Sequence, residues 1–462
     1  MRRAIPIVLA VLMLAGCGGS ETATVGAAAL FPADTPLYAE IDSSLDSSEW
    51  DDLNGLLDRF PGRDRLVGAL RESLRAEGVT PDQLDAAFGD VVAIAVLDFA
   101  NAEETLVGLT QPDNAQALRD VLEEDELVLR EVGDWTAFAE NEAALDRLGG
   151  DGESLADADR FADAWADLPE HALARVFFDG RAAQEAARQL GAGAAIPQGT
   201  GFDAAVLALE AEGDGMRVQG KAFGQEQALP DLSFADEVPA GTILFADFHG
   251  SQGTAAGIEQ LRSNPLLGGA VEQFEQQLGV TLDDIARLFE GETAVYVRPG
   301  VLIPEVTFLL EAEDEAQARG TLDRLGEGIG RLLGAGATRP RTIAGVEATE
   351  LNLGQLSLYY AVFDGRAVVT TLPTGIEDLR EEGNRLADDE TFRDARESAG
   401  GGDVVLFVDL DEVVGLVERL AQLGEEDIPT DVRANLEPLR AFVVTAEGGD
   451  GETSIEAFLS LD

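Results

Sequence analysis

The residues of this chain that could act as general bases, nucleophiles or metal ligands are few and far apart. Histidine occurs only twice among 462 residues, at His171 and His249, and neither has an obvious partner along the chain. Acid–base catalysis and zinc binding most often use histidine beside a second functional group. The chain has no H-E-x-x-H, no G-x-S-x-G, no P-loop and no G-x-G-x-x-G at a strand-to-helix turn. The sequence therefore predicts no enzyme, no metal site and no cofactor. A metal-dependent hydrolase would need a histidine to meet carboxylates in space.

Carboxylates are abundant, and two short groups are dense enough to suggest a divalent cation site. They are Asp157 with Asp159, and Asp388 with Asp389 and Glu390. The ligand spacing of an EF-hand is missing. Asp157 and Asp388 each precede an amphipathic stretch, where a carboxylate caps free backbone amides and interacts favourably with the helix dipole. We therefore interpret them as helix caps rather than as metal ligands.

The single cysteine, Cys17, follows a segment with the layout of an export signal. A positively charged start is followed by the apolar residues 4–14 and by Leu14-Ala15-Gly16-Cys17. The apolar run is too short to span a bilayer. Leu14-Ala15-Gly16-Cys17 resembles the bacterial lipobox, which implies that the Cys17 sulfur receives a diacylglyceryl group and that cleavage makes Cys17 the first residue. The alternative is an ordinary secretory signal that ends at a chance cysteine.

These features predict a protein that is lipid-anchored on the extracytoplasmic side of the cell membrane. Residues 1–17 are expected to be a lipoprotein signal peptide, and residues 18–29, which are small and polar, a flexible tether. Two or three acyl chains hold a protein firmly because each buried methylene contributes about 0.8 kcal/mol. With Cys17 bound to lipid, the fold has neither thiol chemistry nor a disulfide.

The charge of the chain excludes one class of partner. Its 32 Lys and Arg residues stand against 88 Asp and Glu residues, which gives a formal net charge of -56. A polyanion repels nucleic-acid backbones, whose recognition depends on neutralising cations. Hydrophobic residues make up 45% of the chain, so the sequence predicts a globular acidic protein rather than a disordered one. Composition leaves open whether the acidic surface is functional or an adaptation to salt, which screens self-repulsion.

The elements that carry these residues are predicted to form two copies of one unit. A set of landmarks recurs in the same order in residues 30–224 and 237–462, with gaps at loop positions. Such order indicates an internal duplication. Residues 225–236, which contain Pro230, are expected to link the copies. The clearest pairs are Pro32-Ala33-Asp34-Thr35 with Pro239-Ala240-Gly241-Thr242, Gly78-Val79-Thr80 with Gly279-Val280-Thr281, and Leu155-Ala156-Asp157 with Leu386-Ala387-Asp388.

Each copy is expected to be a mixed or mainly antiparallel sheet with packed helices, which places the protein in the α+β class. Residues 91–97 form an apolar run typical of a strand covered on both faces. Gly213-Asp214-Gly215 and Gly449-Asp450-Gly451 predict the turns of closing hairpins, because glycine and aspartate tolerate positive φ. The second copy has gained a loop near residues 326–345. Among the aromatic residues, Trp50 is expected to be the most exposed, unless it forms a hydrophobic staple.

The paired landmarks resemble a family of bacterial envelope lipoproteins known as domain of unknown function 3352. Three features carry the resemblance: the Pro-Ala-x-Thr opening before an apolar strand, the Gly-Val-Thr element with its phenylalanine, and the Leu-Ala-Asp element with its phenylalanine. The resemblance extends over nearly the whole mature chain. It implies an exported protein in which no catalytic residue is established.

The function expected from the sequence is a non-enzymatic binding or structural module of the cell envelope. Such a module would be tethered through Cys17 and would present a surface or cleft to another envelope protein. The alternative is a carrier of a lipid or other apolar ligand. That ligand would occupy a pocket between sheet and helices, or between the two copies, where pockets often form.

Overall fold

The computed structural model describes residues 26–44, 47–76, 78–122, 127–189, 202–224, 230–250, 258, 262, 268–300, 303–333, 338–381, 383–423, 428–449 and 451–462. Within these ranges the chain forms 18 β-strands and 14 α-helices. The α+β class expected from the sequence is confirmed.

The strands are short and are numbered in chain order. They are β1 (Leu37–Asp42), β2 (Val91–Val96), β3 (Leu106–Thr110), β4 (Val128–Val132), β5 (Trp135–Ala139), β6 (Ala174–Asp179), β7 (Ala204–Glu212), β8 (Gly215–Phe223), β9 (Leu244–His249), β10 (Glu292–Arg298), β11 (Glu305–Glu311), β12 (Thr338–Ile343), β13 (Val346–Asn352), β14 (Ser357–Phe363), β15 (Arg366–Thr370), β16 (Asp403–Asp409), β17 (Leu439–Gly449) and β18 (Glu452–Leu461).

The helices lie mostly between strands that are consecutive in the chain. They are α1 (Ser48–Leu57), α2 (Arg63–Ala76), α3 (Pro81–Phe88), α4 (Ala115–Leu122), α5 (Glu142–Leu145), α6 (Asp159–Ala166), α7 (Gly180–Gln189), α8 (Gly268–Leu278), α9 (Leu282–Arg287), α10 (Glu315–Leu333), α11 (Thr374–Arg380), α12 (Glu390–Ser398), α13 (Leu410–Leu423) and α14 (Thr430–Leu436). None of the helices in the described ranges is long and apolar enough to cross a bilayer.

All neighbouring strands pair antiparallel and form one continuous sheet. From edge to edge the order is β4-β5-β3-β2-β1-β6-β7-β8-β18-β17-β16-β9-β10-β11-β15-β14-β13-β12. The expectation of a separate sheet for each copy is therefore wrong. The two halves share one sheet because β8 pairs with β18, with Val218 opposite Ala457. Each of these strands is the edge strand of its own half.

The strand order is the same on both sides of the β8–β18 pair. One side continues as β7, β6, β1, β2, β3, β5 and β4, and the other as β17, β16, β9, β10, β11, β15 and β14. The second side alone extends into the hairpin of β12 and β13. This hairpin and the end of α10 occupy the region near residues 326–345, so the prediction of a simple loop there is wrong. The hairpin turns at Ala344-Gly345, where both residues have positive φ, 47° and 80°.

The sheet has two faces, which we call the front face and the back face. In the first half, the front face carries Tyr38, Phe177 and Val206 and packs against α5 and α6. The back face packs against α1 to α4. In β2, Val92 belongs to the back-face core and Ala93 to the front-face core, which confirms that this strand is covered on both sides.

Trp50 of α1 is a central member of the back-face core. It is only 2% exposed, and its indole N–H donates to the Asp42 carbonyl at 3.0 Å. The expectation that Trp50 is the most exposed aromatic residue is therefore wrong. Its polar sequence neighbours lie on the outer side of α1, whereas the indole points towards the sheet.

The second half repeats this two-layer arrangement. On the front face Phe245, Tyr296 and Phe407 pack with α12. On the back face Leu310 packs with Leu322 of α10. β7 pairs with β8 and β17 with β18, which confirms both predicted hairpins, and Asp450 of the second predicted turn lies outside the described residues.

Polar contacts brace the junction of the two halves beside β8 and β18. A guanidinium N–H of Arg59 donates to the Leu461 carbonyl at 2.8 Å. The backbone N–H of Gly62 donates to the Asn435 side chain at 2.7 Å. Together with the shared strand pair, these contacts tie α1 and α2 to the last two strands and to α14.

Candidate functional site

The lipidation residues predicted from the sequence lie outside the described residues. They are Leu14, Ala15, Gly16 and Cys17. Most of the predicted tether lies outside as well, but Ala27 and Ala28 are buried in the first front-face core. The packed body therefore begins by Ala27.

The two carboxylate groups considered as cation ligands bind backbone amides. Asp157 accepts from the backbone N–H of Ser154 at 3.3 Å, and Asp388 from that of Arg385 at 3.3 Å. Both amides lie at the start of 3₁₀ turns, and Asp389 caps α12 through the N–H of Phe392. Asp157 and Asp388 thus cap 3₁₀ turns, whereas the expectation that they cap the helices that follow is wrong, because α6 has no side-chain cap and α12 is capped by Asp389. Across the described ranges, no three His, Cys, Asp or Glu side chains converge as metal ligands.

The two histidines lie in different halves of the sheet. His171 is mostly exposed, and its Nδ1 lies 3.6 Å from a carboxylate oxygen of Glu49. His249 ends β9 opposite Glu292 in the strand register. His171 thus has one acidic partner, and His249 lies on the same face of the sheet as Asp247 and Glu292, but among the described residues neither histidine belongs to a group of three possible metal ligands.

A buried ionic network on the front face of β1 has the residue types of an active site. The Tyr38 hydroxyl donates to Glu40 at 2.5 Å, and the Arg175 guanidinium donates to the other Glu40 oxygen at 2.6 Å. Burial raises the pKa of both Tyr38 and Glu40, although Arg175 opposes this for each of them. Arg175 also stacks on Trp165. Because all of these groups are enclosed by the core, we interpret the network as structural.

The matching position in β9 holds a different arrangement. Asp247 is 1% exposed and its Oδ1 has no hydrogen-bond partner in the described part of the chain. Burial, together with the charge and hydrogen bond of Glu292, raises the pKa of Asp247 to about 8. Glu292 accepts from the Ser233 hydroxyl at 2.7 Å and from the backbone N–H of Phe234 at 2.8 Å. Glu292 thus holds the segment around Phe234 against the front face.

The back face of the central strands carries a run of apolar side chains, several of them exposed, beside helices α1 and α13. We call it the apolar face, and it consists of the back-face side chains of β7, β8, β18, β17, β16 and β9 beyond the edge of α1. Side chains of alternate residues share one face of a strand. The residues are Ala205, Leu207, Val218, Gly220, Ala222, Thr453, Ile455, Ala457, Phe442, Val444, Ala446, Leu406, Val408, Leu244, Ala246 and Phe248.

The strand register shows that the apolar face is continuous across the junction of the halves. One row of cross-strand neighbours contains apolar side chains from eight strands in succession. With neighbouring strands about 4.8 Å apart, such a row is about 34 Å long. Its members are Leu209, Val218, Ala457, Val444, Leu406, Ala246, Val295 and Phe308.

Several large side chains of the apolar face are exposed. Leu207 is 47% exposed, Ile455 46% and Phe248 45%. Leu207 lies across Gly220, where a Cβ atom would be 2.7 Å from the leucine side chain. Contiguous exposed apolar residues in a soluble domain mark binding surfaces far more often than isolated ones do. These residues therefore form the candidate functional site.

The two faces of the same central strands differ sharply in charge. On the front face Arg217 pairs with Glu456 at 3.1 Å, and Lys221 pairs with Asp167 at 2.9 Å. None of the residues that make up the apolar face is charged, and its one hydroxyl, Thr453, is buried. In a chain with a net charge of -56, this separation makes the apolar face a distinct surface.

Helices next to the apolar face add exposed apolar side chains. Leu66 of α2, Val432 of α14, and Val417 and Leu420 of α13 are all exposed. Ion pairs link these helices in sequence, since Arg65 binds Asp431 at 3.0 Å and Arg433 binds Glu418 at 2.7 Å. Because α13 also packs on β16 and β17, the three helices form one connected rim.

A concavity lies in the second half, between α9 and the start of α10. Its volume is about 300 Å³, and its lining includes Asp284, Arg287, Glu311, Asp314 and Leu288. Arg287 pairs with Asp284 at 2.9 Å, and Asp314 caps α10 through the N–H of Gln317. Asp284, Arg287 and Asp314 are thus used by the fold itself.

Sequence analysis did not identify the apolar face, although part of its signal was present. In β8 the order Met216, Arg217, Val218, Gln219 alternates apolar and polar residues. That alternation predicts one apolar side of a strand, but it is the same whether a helix covers that side or leaves it open. Only the pairing of β8 with β18 shows that two such sides adjoin.

The chain matches a family model and has a distant likeness to a solved structure. A family model described as protein of unknown function (DUF3352) matches residues 131–461. No curated protein matches the chain. Among solved structures, crystal form I of TP0453 is 9% identical with a TM-score of 0.23, and the similarity covers 45% of this chain and 82% of that chain.

Proposed function

The chain belongs to the DUF3352 family of proteins of unknown function, and we propose that it is an exported, lipid-anchored envelope protein that acts by binding rather than by catalysis. The single observation that carries the binding role is the uncharged apolar face on the central strands. We further propose that residues 30–224 and 237–462 are two copies of one unit. The identical strand order on both sides of the β8–β18 pair supports this duplication.

The binding role follows from the cost of leaving the apolar face in water. Each Å² of apolar surface exposed to water costs about 25 cal/mol, so a partner that covers the face is stabilised in proportion to its area. Catalysis would instead need titratable groups that converge at an accessible place. The buried Glu40 and Asp247 are inaccessible, and the exposed His171 has only Glu49 beside it.

The anchor is tested by replacing the only cysteine. Cys17→Ser is expected to abolish metabolic incorporation of radiolabelled fatty acid and to leave the uncleaved precursor. The lipid is expected on the native chain because Leu14-Ala15-Gly16 precedes the cysteine as in a lipobox. Ser20→Ala, three residues after Cys17, is the matched control and is expected to keep the label. Labelling of the Cys17→Ser chain would contradict the anchor.

The binding surface is tested by site-specific photo-crosslinking in cells of the native host. A benzoylphenylalanine at position 207 lies on the apolar face, whereas one at position 219 lies on the front face of the neighbouring strand β8. We expect an adduct with an envelope lipid or protein at position 207 and none at position 219. Equal adducts at both positions, or none at either, would exclude the apolar face as the binding surface.

A further inference from the structure

We propose that the apolar face binds the hydrocarbon chains of a lipid whose headgroup carries no net negative charge. The inference rests on the proposed binding role of this face and names its ligand. It is carried by three properties of the face: its lack of hydrogen-bonding groups, its continuity across strands, and the charge of the surrounding protein.

The apolar face has almost no group that could form a hydrogen bond with a polar partner. Its strands lie inside the sheet, so each is paired on both sides and has no free edge to which a peptide strand could add. Of its side chains only Thr453 has a hydroxyl, and that residue is 5% exposed. An extended peptide would bury backbone amides and carbonyls there without new hydrogen bonds, which is costly. A hydrocarbon chain has no such groups.

The dimensions of the face suit an extended chain. Within the face the row runs from Val218 to Ala246 across five strands, is about 19 Å long and contains no polar side chain. A chain that lies along such a row loses contact with water at every methylene, which is worth about a fourfold gain in affinity per methylene. The exposed Leu66, Val417 and Val432 on the helical rim extend the apolar contact beyond the sheet.

The net negative charge of the protein favours some apolar ligands over others. Two copies of a chain with net charge -56 repel each other, which disfavours a second copy as the occupant of the face. The same field repels a phosphate or carboxylate headgroup at the rim and is weakened by salt. A neutral lipid such as a diacylglycerol, or one with a cationic headgroup, avoids this repulsion.

The inference is tested with purified residues 18–462, which retain every described residue, and two fluorescent probes. One is a pyrene-labelled diacylglycerol and the other is pyrene-labelled phosphatidylglycerol. We expect the neutral probe to bind about tenfold more tightly than the anionic one at low salt, with the difference shrinking as salt is added. Tighter binding of the anionic probe, or no binding of either, would overturn the inference.

Two neighbouring residues of β18 provide matched variants. Ile455 points to the apolar face and Ser454 to the front face, and neither is part of a buried core. Ile455→Asp is expected to weaken binding of the neutral probe at least about tenfold, because a carboxylate would contact hydrocarbon. Ser454→Asp adds the same charge to the same strand and is expected to change binding less than about twofold, since it lies on the other face. Equal binding by both variants would overturn the inference.

Folding and the parent proposal are tested separately. Circular dichroism checks that Ile455→Asp is folded, and Leu207→Asp on β7 gives a second, independent variant of the face. If the neutral probe fails to bind while position 207 still forms a protein adduct in cells, the lipid inference fails and the binding role stands. If the neutral probe does not bind and position 207 forms no adduct, both the lipid inference and the binding role fail. Dimers that dissociate on Ile455→Asp would identify a second copy as the occupant and overturn the lipid inference.

Discussion

Asp247→Asn is the substitution whose effect on stability follows most directly from the structure. Burial, then the charge and hydrogen bond of Glu292, raise the pKa of Asp247 from 3.8 to about 8. Between those two values an unfolded chain releases a proton that the folded chain keeps. Stability from this carboxyl is therefore complete below about pH 4 and decreases as the pH rises, until the folded protein also loses the proton near pH 8. At about 1.4 kcal/mol per pH unit, the free energy of unfolding lost over this window is about 6 kcal/mol, of which about 4 kcal/mol is lost above pH 5.

Asparagine keeps the shape of the protonated acid and can donate an N–H to Glu292, but it has no proton to lose. We expect Asp247→Asn to match the wild type at pH 5 to within about 1 to 2 kcal/mol and to exceed it by about 4 kcal/mol at pH 9. Urea denaturation at each pH from 5 to 9 measures the difference. Asp214→Asn, in the exposed turn between β7 and β8, is the control, and its curve should run parallel to the wild type.

A particular pattern would refute this reasoning. If the wild-type and Asp247→Asn curves stay parallel from pH 5 to 9, the Asp247 carboxyl is ionised in the folded protein and Glu292 does not share its proton. A constant loss of stability in Asp247→Asn, which also gives parallel curves, would refute the reasoning equally and would show that the side chain contributes through packing alone.

Two further substitutions test the interior of the first half. Arg175→Met should lower the free energy of unfolding by about 3 to 5 kcal/mol in urea denaturation, because it leaves Glu40 buried without its cation. Adding Glu40→Gln should restore part of that loss, and no recovery would show that the pair does not act as a unit. Gly108→Ala should cost about 1 to 3 kcal/mol by thermal denaturation, since its Cβ would overlap the Phe138 ring. Gly55→Ala in helix α1, where a Cβ meets no neighbour, should raise stability by about 0.5 to 1 kcal/mol, and a loss there would contradict the steric argument.

Local sequence signals predicted the local structure well. Gly213-Asp214 predicted the β7–β8 hairpin because these residues favour a tight turn, and the apolar run at residues 91–97 predicted a strand covered on both faces. Asp364-Gly365 is an equally good turn signal, with positive φ at both residues, and it connects β14 to β15. Ala344-Gly345 has the same backbone geometry, but alanine is a weak signal for positive φ, and the hairpin of β12 and β13 was therefore mistaken for a loop.

Long-range arrangement was beyond the sequence signals. The pairing of β8 with β18 joins segments separated by more than two hundred residues. Neither strand has a sequence pattern that predicts which strand it pairs with. The burial of Trp50 depends on the Asp42 carbonyl, whose position is set by β1 and not by the residues around the tryptophan. The apolar face combines both problems, since it exists only where the strands of the two halves adjoin.

The pairing of β8 with β18 also constrains the order in which the chain folds as it is synthesised. A chain made from its N-terminus completes β8 long before β18, so the first half must wait with the edge of β8 unpaired. Unpaired edges are templates for aggregation, and pairing between distant segments is slow. Until the second half has been made, the unpaired edge of β8 around Lys221 is the part of the sheet that a chaperone or a membrane surface would most need to cover. Once β8 and β18 have paired, the two halves share one sheet and no longer fold independently.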